Sequence, residues 1–341
     1  MVERTVLNTK ILPSLIPGFV VSGAAVVLLV VTVEPARAVD VLFAVNPAKL
    51  ASSIAVFVVA LLARAAASRE LVDARAGLGA TFGALNIGYL ANNLLPLRVG
   101  EAARSVVLGR RSGLGIIGGA AAVAAERLID LVMAATLLLA VLPAVGVDAG
   151  WAAAAAAGCA ALAGITLLVV VARRREALLG WLEPRLERWP RLSGLLPRLA
   201  AALACTARPG RLLKAALWLG VGWALAVIFF WLVLLAFVPS APLSWAAFGL
   251  GVMAFGIALP SSPGAVGIFE AAWVGALVLC GADPAGALAF AIAAHALSFA
   301  ITSGCGLVAL VREVPGGDGI VRRALTLVAS REIPASEETA Q

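Results

Sequence analysis

Charged side chains are scarce in this chain, and long polar stretches are scarcer still. Asp, Glu, Lys and Arg make up 13% of the 341 residues, whereas 62% are hydrophobic. Uncharged stretches such as 15–33 and 151–172 reach the roughly 18 residues or more that a helix needs to cross a bilayer. This composition excludes a soluble globular protein and indicates an all-α polytopic membrane protein.

The residue types that bind metal ions or attack substrates are equally scarce. Histidine occurs once, at His295, and the four cysteines form no Cys-x-x-Cys pair. The cysteines are interpreted as small packing residues, not as disulfide partners or metal ligands. The chain also has no Asp-x-Asp metal pair and no nucleophile with a base at usable spacing. These absences argue against an enzyme and predict neither a cofactor nor a metal site.

Positive charge is concentrated in one central segment. Residues 173–214 carry ten basic and three acidic side chains, and this difference of +7 equals the formal net charge of the chain. By the positive-inside tendency, this segment and both termini are predicted to lie in the cytoplasm. Its apolar residues alternate with arginine, which is typical of a basic amphipathic helix on an anionic membrane rather than of a nucleic-acid-binding segment. The arginine- and alanine-rich usage favours a bacterial source, and hence the inner (plasma) membrane.

These features divide the chain into four parts. A first membrane half (1–172) precedes the cytoplasmic basic loop (173–213), a second membrane half (214–312) and a cytoplasmic tail (313–341). The charged flanks predict six crossings, at residues 15–33, 49–67, 114–142, 151–172, 214–238 and 285–311.

Two apolar segments do not fit a simple crossing. Residues 78–97 begin and end beside arginines, and the threading makes residues 245–281 begin and end on the opposite side. Each is therefore predicted to be a re-entrant hairpin or a broken helix pair. Full-length crossings at 245–259 and 264–281 satisfy the charges of the second segment equally well.

Both segments contain nearly the same interruption. Residues 95–100 read Leu-Pro-Leu-Arg-Val-Gly, and residues 259–264 read Leu-Pro-Ser-Ser-Pro-Gly. Because proline removes a backbone donor, such a break at membrane depth requires protein or a water-filled cavity around the freed backbone groups. Interrupted segments at corresponding positions of two halves predict an inverted repeat, with breaks near 92–101 and 259–264 at a transport site.

Charges inside the apolar segments mark the candidate site, because each costs at least about 2.5–3.5 kcal/mol at mid-membrane unless it is paired or hydrated. One group of three follows the first break and another lies within 114–142. The two groups are Arg98, Glu101 and Arg104, and Glu126, Arg127 and Asp130. Helical spacings of three and four residues let the groups face each other. Either they only join two helices by ion pairs, or an arginine receives an anionic headgroup beside a helix N-terminus.

The second break offers hydroxyl and amide groups and one acid instead of arginines. This set suits hydrogen bonding to a phosphate or a sugar. With two asparagines before the first break and the lone histidine, the candidate substrate-binding residues are Asn92, Asn93, Arg98, Glu101, Arg104, Glu126, Arg127, Asp130, Ser261, Ser262, Gly264, Glu270 and His295.

Three motifs follow one another along the chain. They are N-N-L-L-P-L-R-V-G-E-A-A-R at 92–104, E-R-L-I-D at 126–130 and L-P-S-S-P-G-A-V-G-I-F-E at 259–270. Together they resemble the lysylphosphatidylglycerol synthase transmembrane-region family of flippase-like membrane proteins, over nearly the whole chain. The resemblance implies a membrane domain that moves an aminoacylated phospholipid between leaflets, while a separate soluble domain attaches the amino acid. No such domain is expected here, so synthase activity is not carried over.

One residue departs from the family pattern. His295 stands where arginine is expected in many relatives. It is interpreted either as part of the site or as a hydrogen-bonding residue between helices.

Three functions are compatible with these features. The leading hypothesis is a lipid flippase for an anionic or phosphate-bearing lipid, such as an aminoacyl-phospholipid or a polyprenyl-phosphate-linked or glycosylated lipid. The alternatives are an integral-membrane lipid-linked glycosyltransferase or phosphatase, and a membrane scaffold for a cytoplasmic partner. Membrane lipids are the expected ligands. A cytoplasmic lipid-modifying enzyme and a second copy of the chain, joined through the Gly-x-x-x-Gly pair at 115–119, are left open as partners.

Overall fold

The computed structural model describes residues 3–45, 48–73, 75–95, 99–146, 151–186, 196–257 and 261–313. These residues form helices and short connections without a strand, which confirms the all-α fold. The helices are α1 (Glu3–Thr32), α2 (Pro35–Ala44), α3 (Ala48–Leu71), α4 (Leu78–Leu94), α5 (Gly100–Ser112), α6 (Gly115–Val145), α7 (Trp151–Arg173), α8 (Arg175–Leu186), α9 (Leu196–Thr206), α10 (Pro209–Phe237), α11 (Leu243–Gly256), α12 (Ile268–Leu279) and α13 (Pro284–Glu313), with a 3₁₀ turn at Pro263–Ala265.

Long apolar helices occur where the crossings are predicted. Within the described ranges, the helices long and apolar enough to cross a membrane are Leu50–Leu71, Gly115–Val145, Ala154–Arg173, Pro209–Phe237 and Pro284–Glu313. The first expected crossing lies in α1, which is followed by α2 at an angle of 86°. The polytopic architecture is therefore confirmed.

The helix ends follow local backbone chemistry. Proline is the first residue of α2, α10 and α13, a position where its missing N–H has no helical partner to lose. This explains why α10 begins at Pro209, five residues before the predicted boundary at 214. The predicted basic loop contains two short helices, α8 and α9. Residues 187–195 of that loop and the tail from 314 lie outside the described residues.

Four short helices form two hairpins. The helices α4, α5, α11 and α12 have 17, 13, 14 and 12 residues. At about 1.5 Å per residue, none of them reaches across a hydrocarbon core of about 30 Å. In the first hairpin a Cβ on Gly100 would overlap the carbonyl oxygen of Gly88, and in the second a Cβ on Gly249 would overlap the Trp273 ring. The two helices of each hairpin therefore lie in close contact.

The hairpins approach α13 from opposite ends. Arg111 at the end of α5 pairs with Glu313 at 2.7 Å, and a Cβ on Gly83 near the start of α4 would lie 3.4 Å from the Cβ of Ala309. The open end of the first hairpin thus lies beside the C-terminus of α13. The second hairpin is joined to the N-terminus of α13 by the short connection 280–283.

The closed ends of the hairpins meet near the middle of α13. Asn93 at the end of α4 donates to Thr302 Oγ1 at 3.2 Å and to Ser303 Oγ at 2.8 Å. A Cβ on Gly264 in the 3₁₀ turn would lie 3.6 Å from the carbonyl oxygen of Asn93 and 3.3 Å from the Phe299 ring. Because α13 is about 45 Å long, these contacts fall in its middle third. The two break prolines, at positions 96 and 260, lie outside the described residues.

One order of elements occurs twice along the chain. A long helix, a hairpin of two short helices and another long helix form α3–α6, and the same order recurs in α10–α13. The two leading helices, α3 and α10, pack antiparallel, with the Phe57 and Phe229 rings stacked at 4.3 Å and Asp73 paired with Arg211. The antiparallel pairing is the relation that an inverted repeat would have.

Candidate functional site

A buried ion pair joins α5 to α6. The guanidinium of Arg104 contacts the carboxylate of Glu126, and the two side chains are 3% and 1% exposed. Ser68 on α3 completes the contact, because its hydroxyl accepts from Arg104 at 2.6 Å and donates to Glu126 at 2.8 Å. Three helices are therefore held together by one charge-assisted network.

A second buried pair continues the network one turn along α6. Arg64 Nη2 lies 2.6 Å from Asp130 Oδ2 and 3.6 Å from Glu126 Oε1. Trp223 Nε1 on α10 donates to Asp130 Oδ1 at 3.0 Å. Sequence reasoning missed Arg64, Ser68 and Trp223 as members of the site. Arg64 was detectable, since it is a charged residue inside the predicted crossing 49–67 and carries the same energetic cost as the others.

A third pair opens onto a cleft. Arg127 pairs with Glu101, and its Nη1 lies 3.5 Å from Asp130 Oδ2. The side chains of Arg127 and Glu101 are 44% and 35% exposed, in contrast to the buried pair beside them. The cleft is shallow and is lined by Leu85, Gly88, Tyr89, Asn92, Gly100, Glu101, Arg104 and Arg127.

The charges of this cluster balance. Three arginines (64, 104 and 127) face three acids (101, 126 and 130), so the described members sum to zero. Such pairing offsets much of the desolvation cost of burying charge. Of the three arginines, only the one at position 127 is substantially exposed. The predicted site residue Arg98 lies outside the described residues.

The second hairpin carries a different polar contact. His295 Nδ1 on α13 lies 2.6 Å from Glu270 Oε1, and His295 Nε2 lies 2.9 Å from the carbonyl oxygen of Gly264. The other carboxylate oxygen of Glu270 accepts from the backbone N–H of Gly267 at 2.7 Å. The imidazole also stacks on Phe269, with ring centroids 4.3 Å apart. One acid and one histidine thus tie α12, the 3₁₀ turn and α13 together.

The helix α1 supports this turn from a third side. The backbone N–H of Ser262 donates to Ser22 Oγ at 2.9 Å, while Ser262 Oγ donates to the carbonyl oxygen of Val266 at 3.2 Å. A Cβ on Gly18 would lie 2.8 Å from the carbonyl oxygen of Ser261, so the turn rests directly on α1. Ser22 lies in the apolar part of α1, and sequence reasoning did not identify it.

The predicted residues form two neighbouring groups. Asn92, Glu101, Arg104, Glu126, Arg127 and Asp130 belong to the first, and Ser261, Ser262, Gly264, Glu270 and His295 to the second. The adjacent asparagines connect them. Asn92 Oδ1 accepts from the Gly100 N–H at 2.8 Å within the first hairpin, whereas Asn93 bonds to α13 near the second. Residues separated widely in the chain therefore share one central polar region.

A bundle of long apolar helices with charged groups buried at mid-length defines the class, a polytopic membrane protein. The chain belongs to the family described as lysylphosphatidylglycerol synthase TM region, whose model matches residues 15–306. The resemblance in sequence motifs is thereby confirmed.

Similarity to an individual protein is narrower. Over 127 residues the chain is 28% identical to glycosyltransferase AglD of Haloferax volcanii, a match that covers 36% of this chain and 20% of that protein. The chain thus spans about a fifth of the length of this curated relative. No solved structure matches the chain.

Proposed function

We propose that this protein is a lipid flippase that moves an anionic or phosphate-bearing lipid between the leaflets of the membrane. The observation that carries the proposal is the meeting of two hairpins, inserted from opposite ends of the bundle, beside a partly exposed arginine. Interrupted helices that meet at a central site are the arrangement found in secondary transporters. The family, by its description, associates the chain with a lipid-modifying synthase.

Both hairpins are re-entrant in this proposal. Their helices are too short to cross the hydrocarbon core, and each hairpin opens toward one end of the bundle. The end beside Glu313 also carries the ion pairs of Arg111 and Arg211, whereas the opposite end carries the pair of Arg37 with Asp283 at 3.2 Å. By the positive-inside tendency, the first hairpin opens to the cytoplasm and the second to the outside.

Arg127 is the headgroup-binding residue of the proposal. A guanidinium presents paired donors that match phosphate oxygens, and the N-terminus of α5 beside it favours negative charge. A phosphate entering the cleft would replace Glu101 as the partner of Arg127. The Arg104–Glu126 and Arg64–Asp130 pairs stay intact during this exchange, because both are buried. They hold the helices on which the exchange occurs.

Movement of the headgroup follows from the second contact region. Once bound at Arg127, the headgroup lies in the same polar layer as the tip of the second hairpin. Displacement of that tip would open the path to the other leaflet, while the acyl or prenyl chains stay in lipid. The proposed substrates are aminoacyl-phospholipids and lipids that carry a polyprenyl phosphate or a glycan.

A second candidate is favoured by one observation. The match to glycosyltransferase AglD associates part of this chain with a protein that is named for glycosyl transfer. An integral-membrane enzyme acting on a lipid-linked glycan is therefore the alternative to translocation, and it predicts a chemical product.

Reconstitution separates these functions. Purified protein in liposomes that contain a fluorescent anionic phospholipid should make inner-leaflet probe accessible to an external quencher, with no new lipid species by mass spectrometry. Formation of a glycosylated or dephosphorylated lipid would instead support the enzyme. If neither lipid movement nor a new lipid is detected, the scaffold is the hypothesis that stays. A charge swap, Glu101→Arg with Arg127→Glu, keeps an ion pair but moves the guanidinium to α5. We expect the swap to assemble without transport, whereas full transport would show that only the ion pair matters.

A further inference from the structure

Two hydrogen-bond acceptors face the imidazole ring of His295. His295 Nε2 faces the carbonyl oxygen of Gly264, which can only accept, so Nε2 must carry hydrogen. His295 Nδ1 faces Oε1 of Glu270 at 2.6 Å, and this contact also needs a hydrogen between the two atoms. The hydrogen belongs either to an imidazolium or to a carboxylic acid. In both cases the pair holds one proton more than a neutral histidine beside a carboxylate.

Loss of that proton breaks the geometry. A neutral imidazole has one N–H, but two acceptors face this ring, the Gly264 carbonyl and the Glu270 carboxylate. Whichever nitrogen keeps the hydrogen, the lone pair of the other nitrogen then points at an acceptor oxygen. A hydrogen bond requires a donor facing an acceptor, so the deprotonated pair cannot keep both contacts.

The Glu270–His295 contact attaches the tip of the second hairpin to the rest of the bundle. It joins the second hairpin to α13 through the turn that includes Gly264 and Gly267, whose φ angles are +68° and +87°. The same carboxylate caps α12 through the Gly267 N–H. The imidazole and the carboxylate are each 13% exposed, so the surrounding solvent reaches them only narrowly. The tip of the hairpin is therefore held by a bond that requires a proton.

The other titratable groups near α12 and α13 lie away from the Glu270–His295 pair. Among the described residues, neither member of the pair forms a further ion pair. The parts of α1 and α11 whose side chains are described carry no titratable group, and the other elements around α12 and α13 carry theirs toward the bundle ends or in the first site. These residues are Arg37, Asp40, Arg64, Arg69, Glu70, Tyr89, Arg211, Lys214, Asp283, Arg312 and Glu313.

We propose that Glu270 and His295 form a proton-binding site that closes the second hairpin onto α13 when loaded and opens it when the proton leaves. The claim that this proton is coupled to lipid movement rests on the proposed function. The claim that it controls the position of the hairpin does not. The closed contact is formed while the proton is bound and is lost when the proton leaves.

The single histidine allows a direct test of protonation. Protein with ¹³C,¹⁵N-histidine and a histidine-free purification tag, in nanodiscs, gives one imidazole spin system by NMR. At low pH we expect a hydrogen on Nε2 and a second proton shared between Nδ1 and Glu270. In Glu270→Gln the amide donates to Nδ1 without a dissociable proton, so the ring should stay the neutral Nε2–H tautomer over the same pH range. A neutral Nδ1–H tautomer in the wild type at low pH, or identical titration in the variant, would overturn the proton site.

Opening is measured separately at the hairpin tip. Ser262→Cys in a cysteine-free background should react with a membrane-impermeant maleimide about threefold or more faster at high than at low pH, relative to the same cysteine in Glu270→Gln. The variant carries the same thiol, so it corrects for thiolate formation. Equal pH dependence in the two proteins contradicts the switch. In liposomes, lipid movement that ignores an imposed pH gradient would refute coupling but leave the flippase, whereas absence of any lipid movement would refute the flippase and leave the labelling result to decide the switch.

Discussion

The two hairpins share a break motif but differ in the ionisable groups that bind them to the bundle. The first is bound by arginine–carboxylate pairs, and arginine keeps its charge at any physiological pH. The second is bound by one acid, one histidine and backbone groups, which change with protonation. The same local break thus serves two electrostatic environments. An arginine that stays charged suits retention of an anion, whereas a titratable pair suits a change of conformation.

The buried pair of the first hairpin carries the largest expected effect. Arg104→Ala leaves Glu126 buried without its main partner, and we expect a loss of about 3–5 kcal/mol in stability. Thermal unfolding in detergent or nanodiscs measures this loss. Arg111→Ala on the same helix is the matched control, because its exposed pair with Glu313 is worth only about 0–1 kcal/mol. Equal destabilisation by both changes would contradict the assignment of the Arg104 pair as the fixed support.

The hairpins also differ in how closely other backbone atoms approach their glycines. Gly100→Ala places a methyl group against the Gly88 carbonyl, and we expect a destabilisation of about 1–3 kcal/mol from overpacking. Gly264→Ala meets no backbone atom closer than 3.6 Å, but its φ of +68° should still cost about 1 kcal/mol. Gly79→Ala on α4 has open space and should be neutral or slightly stabilising. If Gly100→Ala unfolds at no lower temperature than Gly79→Ala, the result contradicts the close contact between α4 and α5.

The exposed arginine should separate transport from stability. Arg127→Gln is expected to reduce lipid movement tenfold or more, equivalent to about 1.4 kcal/mol or more of lost interaction. Its thermal stability should change by less than about 1 kcal/mol, because the pair with Glu101 is partly exposed. Quencher assays in liposomes measure transport, and Arg111→Gln is the control outside the cleft. Retained transport in Arg127→Gln would remove the first hairpin from headgroup binding.

Opposite approach of the hairpins is tested by labelling the two ends of the bundle. Single cysteines at Arg174, after α7, and at Asp283, before α13, both replace exposed residues. In sealed vesicles, an impermeant reagent should label them from opposite faces, since one end of the bundle opens to each side. Labelling of both from the same face would reject the proposed threading.

The long helices were predictable because each depends on a local property of the chain. A run of apolar residues must form helix in a bilayer, whatever its neighbours are, so predicted crossings such as 114–142 and 285–311 correspond closely to α6 and α13. The chain breaks at proline and glycine for equally local reasons. The side of the membrane on which each hairpin opens stays a prediction.

Sequence by itself determined the membrane class, the family, the helical fold and the presence of costly charges at two breaks. Only tertiary structure decided which charges pair, because Coulomb and hydrogen-bond energies depend on distance in space. Arg64 reaches Asp130 across 66 residues, and Asn93 reaches Ser303 across 210. The exposed state of Arg127, the burial of Arg104 and the contact of Glu270 with His295 all result from the packing of distant helices.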